Sequence, residues 1–212
     1  IDFLQQEKID FTHTDYNSGI CEGINKAAKL AKFNYILYAH DDFYFCPNWD
    51  EILEKEVKKI GHNNFYISGT MMNKGQINFN CGETLNDFDE KKFLDNYKDY
   101  NYYDFQGSTW APSLVHRDIW NKVGGLSEEY FPGTGSDPDF NMKLWNLGIR
   151  IFKGINDFKV YHFGSTVLRK KLNKISKNKY GSTGAKIFLL KWGISIKFFK
   201  KYYLKSDTIY NG

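Results

Sequence analysis

Two short acidic runs and one histidine carry most of the chemistry that this 212-residue sequence suggests. The first run, His40-Asp41-Asp42, directly follows the apolar stretch 35–39. Carboxylates at the end of an apolar stretch are costly to desolvate unless they bind a cation or accept several hydrogen bonds. In open α/β sheets, ligands bind at the carboxyl ends of strands. The run therefore favours a divalent-metal and phosphate site, with a loop-capping acid pair as the alternative.

The second run is Asp137-Pro138-Asp139, which follows a turn-rich loop containing Gly133 and Gly135. We predict a helix over 139–147, because proline in a first turn and acids beside it are typical of a helix start. His162 is the third candidate for a site residue. It directly follows a predicted strand over 158–161.

The elements before the first run predict a β-α-β order. We expect a strand over 9–14, a turn at 17–19, a helix over 20–32 with one small apolar face, and a strand over 35–39. This order implies a parallel strand pair with a right-handed crossover. The crossover would place the 17–19 and 40–42 loops at the same edge of the sheet.

The rest of the chain alternates further helices and strands. Helices are predicted over 48–60, near 89–97 and over 117–123. Strands are predicted over 65–72, 149–152 and 158–161, and the segment 107–116 is predicted to be a strand or a loop. Residues 73–103 are predicted to form an insertion or lid. One α/β domain with a small appendage is the expected organisation.

Bulk composition excludes several classes of protein. Hydrophobic residues make up 42% and charged residues 25%, as in a soluble globular protein, and a net charge of +4 does not indicate nucleic-acid binding. Cys21, Cys46 and Cys81 lack zinc-site spacing, which favours reduced cytoplasmic thiols. Because no stretch of 18 apolar residues occurs, we expect a cytoplasmic protein, either soluble or peripheral on the cytoplasmic face of the membrane.

Basic and aromatic residues are mixed in the C-terminal part of the chain. One interpretation is an amphipathic helix on an anionic membrane, with Trp192, Phe198 and Tyr202 inserting into it. The alternative is a helix that packs on the rest of the chain or forms a homodimer. Either contact would use residues 185–205.

Several motifs in order resemble those of glycosyltransferase family 2. They are Asn17-Ser18-Gly19, Gly23-Ile24-Asn25 with Ala27 and Ala28, His40-Asp41-Asp42, Pro47-Asn48-Trp49, Arg117, Val123-Gly124-Gly125 with Glu128, and the segment 136–143. The resemblance covers about residues 11–166. His40 stands where the family has the first Asp of Asp-x-Asp, and Ser136 replaces an acid. The family normally begins with a strand, a helix and a strand that this sequence does not show, so we expect either a fragment or an unconventional nucleotide pocket.

The resemblance implies an α/β fold of GT-A (Rossmann-like) type, with a mixed, mainly parallel sheet flanked by helices. It implies a catalytic domain over 1–165 and a basic helical extension over 166–212. The implied activity is inverting, metal-dependent transfer of a sugar from a nucleotide-sugar donor, UDP- or GDP-linked, to a hydroxyl. Polysaccharide, lipid-linked and protein acceptors all fit.

Site roles follow from the same resemblance. Asp42 would bind Mn²⁺ or Mg²⁺, with Asp41 beside it and His162 completing the shell, although a structural hydrogen-bonded histidine is the alternative for His162. Asp137 would be the general base, although it also suits helix capping.

The remaining positions would contact the two substrates. Donor-binding residues would be Asn17, Gly19, Asn25, His40 and Asp41, and acceptor-binding residues would be Trp110, Gly133, Gly135 and Asp139.

Two rival functions are compatible with the sequence. One is a catalytically inactive GT-A-like domain for glycan binding or scaffolding, which the changes at His40 and Ser136 favour. The other is a retaining GT-A transferase.

Overall fold

The apolar runs form one mixed sheet in the computed structural model, which describes residues 1–164 and 174–212, with side chains over 1–164 and 183–212. Its strands are β1 (Tyr35–Tyr38), β2 (Phe43–Phe45), β3 (Phe65–Met72), β4 (Phe105–Gln106), β5 (Ser113–His116) and β6 (Ile151–His162). The strand order is β1-β5-β3-β6-β2, with β4 paired to β6 outside this path. A mixed α/β sheet flanked by helices is thereby confirmed.

The centre of the sheet is the pair formed by β3 and β6, which run parallel. Their aromatic and branched side chains are buried on both faces, as central strands require. The other pairings, β1 with β5, β3 with β5, β2 with β6 and β4 with β6, are antiparallel.

The predicted strand over 9–14 is wrong. These residues form no strand and are largely exposed, and β1 lies at the edge of the described sheet. The segment contains only Ile9 and Phe11 as large apolar residues, so pairing with β1 would bury little apolar area. The first loop is therefore not placed by a parallel crossover.

The two strands predicted over 149–152 and 158–161 are one strand, β6. Opposite Gly69 and Thr70 the register jumps from Ile155 to Lys159, which marks a bulge. The polar pair at 156–157 lies between the two segments predicted as separate strands. In the fold, Asn156 Oδ1 accepts a hydrogen bond from Tyr102 N at 2.8 Å. The pair 156–157 therefore lies in the bulge, and the strand continues on both sides of it.

Helices cover the sheet. They are α1 (Asp2–Gln6), α2 (Gly19–Ala28), α3 (Trp49–Ile60), α4 (Glu90–Asn96), α5 (Arg117–Val123), α6 (Ser136–Asn146), α7 (Lys174–Trp192) and α8 (Ile196–Phe198), with short turns at Tyr97–Asp99, Glu128–Tyr130 and Phe199–Tyr203. The helix predicted over 117–123 is confirmed. α3 ends at Gly61, whose φ of 74° is the left-handed C-cap that glycine supplies at low cost.

Residues 73–103 pack as a second core. Phe79, Phe93 and Tyr97 contact β3 and Tyr161 of β6 in one buried cluster. The Tyr161 hydroxyl accepts from Cys81 N at 2.8 Å and donates to Gly82 O at 2.6 Å. The segment is thus anchored to the sheet.

The C-terminal residues join the main core. Phe188, Phe199 and Leu204 are fully buried in the cluster that contains Phe140 and Phe152. This face of the extension is packed on the rest of the chain, as one of the two interpretations predicted. The boundary at 165 stays a prediction, since both sides of it contribute to the same core.

None of the helices in the described ranges is long and apolar enough to cross a membrane.

Candidate active site

Tyr38, the last residue of β1, connects the two acidic runs. Alternate residues of β1 point inward, and Tyr38 is 4% exposed. Its hydroxyl donates to Asp137 Oδ1 at 3.4 Å and lies 2.8 Å from His40 Nε2. With that donor direction, the His40 N–H donates to the tyrosine oxygen. A hydrogen-bonded path therefore runs from Asp137 to His40.

Asp137 is held in the first turn of α6, which begins three residues earlier than predicted. Gly135 is the N-cap with φ 93°, a conformation that favours glycine, and Pro138 is tolerated because a first turn does not need its N–H. Ser136, where the resemblance implies an acid, is 2% exposed and donates to Gly133 O at 2.6 Å. Asp137 therefore has a rigid backbone.

Burial raises the pKa of Asp137 from 3.8 to about 7, because the surrounding protein desolvates the charged form. The hydrogen bond from Tyr38 acts in the opposite direction. A carboxyl that titrates near neutrality suits proton abstraction at neutral pH. The environment thus gives Asp137 the property that a general base needs.

An aromatic row continues from His40 towards β6. His40 stacks on Phe43 with ring centroids 5.3 Å apart, and Phe43 meets His162 edge-on at 5.1 Å. Phe43 and His162 are also register partners in the β2–β6 pairing. Burial lowers the pKa of His40, with the charge of Asp42 opposing this effect. A neutral imidazole can both donate and accept hydrogen bonds.

Asp42 and His162 meet at the end of this row. His162 Nε2 lies 3.4 Å from Asp42 Oδ2, both side chains are mostly buried, and Phe163 N donates to Asp42 O at 3.0 Å. His162 Nδ1 is buried and has no hydrogen-bond partner among the described residues. One carboxylate and one imidazole fit the few protein ligands that Mg²⁺ or Mn²⁺ uses beside substrate phosphates. The described residues contain no group of three or more such ligands.

Three other predicted donor residues lie outside this row. Asp41 is exposed in the turn before β2. Asn17 Oδ1 accepts from Gly19 N at 3.1 Å, and Gly19, with φ 77°, packs against Phe131. A Cβ at Gly19 would lie 2.8 Å from that ring, so glycine here lets α2 approach the 131–135 loop.

Asn25 is the fourth predicted donor-binding residue outside the row. Its side chain both donates to and accepts from the backbone of Leu126. Its Nδ2 donates to Leu126 O at 2.8 Å, and Leu126 N donates to its Oδ1 at 2.8 Å. The structure thus gives Asn25 a role in anchoring the segment after Gly125.

Asp139, two residues after Asp137, is fully buried. It accepts hydrogen bonds from Ser127 Oγ at 2.6 Å, Tyr130 OH at 3.1 Å and Trp192 Nε1 at 2.8 Å. Lys191 Nζ lies 3.0 Å from the same carboxylate. We call this group the Asp139 cluster: it joins α6 to the C-terminal end of α7.

The predicted acceptor residues Trp110, Gly133 and Gly135 lie on two loops. Trp110 is partly buried and stacks on Phe105, and Lys200 Nζ lies 5.3 Å from its ring centroid. Gly133 and Gly135 belong to the loop that leads into Asp137, and Gly184 of α7 packs against that loop.

Sequence reasoning missed Tyr38 and Phe43. Tyr38 lies in the apolar stretch 35–39 and Phe43 follows the acidic run, and neither of them was predicted to have a role in the site. The alternating pattern of β1 did place Tyr38 on the inward face, but its distance to Asp137, 99 residues away, is a property of the fold.

Solved structures of S. aureus TarS share this fold. No protein-family model and no curated protein matches the sequence. TarS 1–349 aligns with a TM-score of 0.53 at 12% identity, over 93% of this chain and 60% of that one. Its complex with UDP-GlcNAc gives 0.52 at 12% identity, over 93% and 62%. The longer TarS structure gives 0.52 at 12% identity, over 96% and 37%. The chain thus spans less than two thirds of each TarS structure, and it has the GT-A-like fold.

Proposed function

We propose that the protein is a glycosyltransferase that uses a nucleotide-sugar donor, with Asp137 as general base. The observation that carries the proposal is the connected arrangement of Asp137, Tyr38, His40, Phe43 and the Asp42–His162 pair. The fold supports it, because TarS has been solved in complex with UDP and with UDP-GlcNAc. A UDP-sugar is therefore the first donor to test, and GDP-sugars follow. Assignment to glycosyltransferase family 2 is part of this proposal.

The chemistry is a single displacement. Asp137 takes the proton of the acceptor hydroxyl as its oxygen bonds to the anomeric carbon, and the bond from that carbon to the diphosphate breaks with its electron pair leaving on phosphate. Attack from the side opposite the diphosphate inverts the anomeric configuration. Asp42 and His162 would hold Mn²⁺ or Mg²⁺, which supplies positive charge to the leaving diphosphate.

The chain's own residues prepare this step. Tyr38 orients Asp137 and stabilises its ionised form, and the half-buried rings of His40 and Phe43 lie between this base and the Asp42–His162 pair. Because the pKa of Asp137 is raised to about 7, a large fraction is ionised at neutral pH and remains basic enough to accept a proton.

A donor-turnover assay tests the proposal. UDP release from a panel of UDP-sugars with Mn²⁺ should be measured for the protein and for Asp137→Asn and Asp42→Asn. We expect each variant to lose about 100-fold or more in kcat. Asp118→Asn is the matched control, because the Asp118 side chain is 72% exposed and lies beside His116 rather than beside Asp42 or Asp137.

Three results would change the assignment or part of it. Tight UDP binding by calorimetry without turnover, unchanged by Asp137→Asn, would favour the inactive binding domain. Retained anomeric configuration in the product, observed by NMR, would favour a retaining enzyme. Full activity in excess chelator would remove the metal from the proposal and leave the base in place.

A further inference from the structure

The described part of the C-terminal extension has one buried face and one exposed apolar face. Phe188 and Phe199 are fully buried, whereas Leu190 is 86%, Tyr202 57% and Phe198 44% exposed. Trp192 would enter a membrane in one of the two interpretations of the sequence, but it is not part of the exposed apolar face, because its N–H donates to buried Asp139. The exposed apolar side chains instead come from α7, α8 and the Phe199–Tyr203 turn.

A groove of about 1090 Å³ runs along the same elements. Its lining combines apolar side chains such as Leu189 and Ile196 with lysines. The lysines are Lys186, Lys197, Lys200, Lys201 and Lys205, and Asp207 is the one acid among the described lining residues. We call this groove, together with Leu190, Phe198 and Tyr202, the basic-apolar face.

The charge on this face is not neutralised within the described protein. Residues 183–212 contain six lysines. Lys191 is engaged with Glu129 at 2.7 Å and with Asp139. The other five line the groove, and none forms an ion pair with a described residue. The groove therefore carries a surplus of positive charge, and exposed apolar side chains lie beside it.

Two of these lysines place their ammonium groups over aromatic rings. Lys201 Nζ is 5.0 Å from the Tyr202 ring centroid, and Lys200 Nζ is 5.3 Å from that of Trp110. A cation over a ring face is held by the electrostatic field of the ring, so aromatic and basic groups are intermixed on this face. Phe198 and Tyr202 stack with centroids 4.6 Å apart, which makes one exposed aromatic pair.

The combination of the groove lysines and exposed apolar side chains favours one of three kinds of partner. A soluble polyanion would pair with the lysines but would gain little from Leu190 and Phe198. A second copy of this face would bring five more lysines against these five, which is repulsive. An anionic lipid surface satisfies both features, since its headgroups attract lysines and its interface accepts aromatic and leucine side chains.

We propose that the basic-apolar face docks this protein onto an anionic lipid surface. The proposal is independent of the catalytic assignment, because none of Asp42, Asp137 and His162 lines the groove. Attraction of the lysines brings the protein to the headgroups, and shallow insertion of Leu190, Phe198 and Tyr202 holds it there.

Vesicle co-sedimentation tests this docking. The protein is mixed with vesicles of phosphatidylcholine alone or of phosphatidylcholine with phosphatidylglycerol, at low and high salt. We expect binding to the anionic vesicles that weakens with salt. Lys197→Ser with Lys201→Ser should weaken it about 30-fold, since each surface lysine contributes about fivefold. Lys55→Ser with Lys58→Ser, two exposed lysines of α3, is the matched control and should change it less than about threefold.

A second pair of variants separates lipid from other anions. Leu190→Ser with Phe198→Ser should weaken vesicle binding by about tenfold or more while leaving the melting temperature unchanged. Equal binding to soluble polyphosphate, insensitive to Leu190→Ser, would overturn the proposal in favour of a soluble polyanion. A dimer by light scattering that dissociates in Leu190→Ser would overturn it in favour of a second copy, and absence of binding to anionic vesicles would overturn it outright.

Discussion

At Asp137, the burial that makes a good base also works against the stability of the fold. Its folded pKa of about 7 lies above the ordinary value of 3.8, so the folded state binds the proton more tightly than the unfolded state. That contribution is fully present below about pH 3.8 and is lost as the pH rises through about 7. The ionised, reactive form is therefore the less stable one.

Asp137→Asn should lower the activity of the protein and raise its stability. Because asparagine carries no charge to desolvate, we expect the variant to exceed the parent in unfolding free energy at pH 8 by up to about 4 kcal/mol. At pH 4 the two proteins should be nearly equal. Urea denaturation at both pH values measures this. An equal difference at both would show that packing, rather than ionisation, is responsible.

Tyr38→Phe should move the pH dependence of catalysis. The tyrosine hydroxyl lowers the pKa of Asp137, so its removal raises that pKa. We expect the rising limb of kcat/KM against pH to shift to higher pH, by up to about one pH unit. Tyr35→Phe, on the same strand but bonded to Asn63 rather than to the site, is the control. An unshifted limb would contradict the hydrogen bond's role.

At the scale of elements, the Asp139 cluster joins the helix that carries the base to α7. Its carboxylate is 0% exposed, and two of its four partners, Lys191 and Trp192, come from the end of α7. A buried carboxylate needs all such partners, because an unsatisfied one keeps its full desolvation cost. α7 is therefore part of the support for Asp137.

Trp192→Phe should destabilise the protein by about 1–3 kcal/mol, since it removes one donor from buried Asp139 while keeping most of the ring. Thermal or urea unfolding measures the change. Leu190→Ala, two residues away and 86% exposed, should change it by less than about 0.5 kcal/mol. Similar losses in both variants would mean that Trp192 acts by helix propensity or packing alone.

Across the whole molecule, one buried lysine connects three distant parts of the chain. Lys153 on β6 is 2% exposed and lies 2.8 Å from Glu56 of α3 and 2.7 Å from Asp104, just before β4. The Tyr210 ring covers it at 5.0 Å. Removing one partner of a buried ion pair leaves uncompensated charge.

Lys153→Ala should therefore cost about 3–5 kcal/mol of unfolding free energy. Lys32→Ala is the matched control, because its ion pair with Asp10 is exposed and should contribute less than about 1 kcal/mol. Denaturation curves of the two variants measure both values. A small loss for Lys153→Ala would show that water replaces the lysine.

Local patterns predicted the elements that depend on few neighbours. The apolar run 65–72 and the helix over 117–123 coincide with β3 and α5, because their side-chain periods are set within one element. The 9–14 strand failed because a strand needs a partner, and β6 appeared broken because a bulge is defined by the strand opposite.

The sequence by itself determined which chemical groups are present and in what order: two acidic runs, a histidine after a strand, and a basic aromatic C-terminal segment. Only the tertiary structure decided that Tyr38 bridges Asp137 and His40, that buried Asp139 joins α6 to α7, and that the C-terminal segment divides into a packed and an exposed face. The reason is physical. Residue type and period are local properties, whereas pKa, burial and hydrogen-bond partners depend on residues about 100 positions apart.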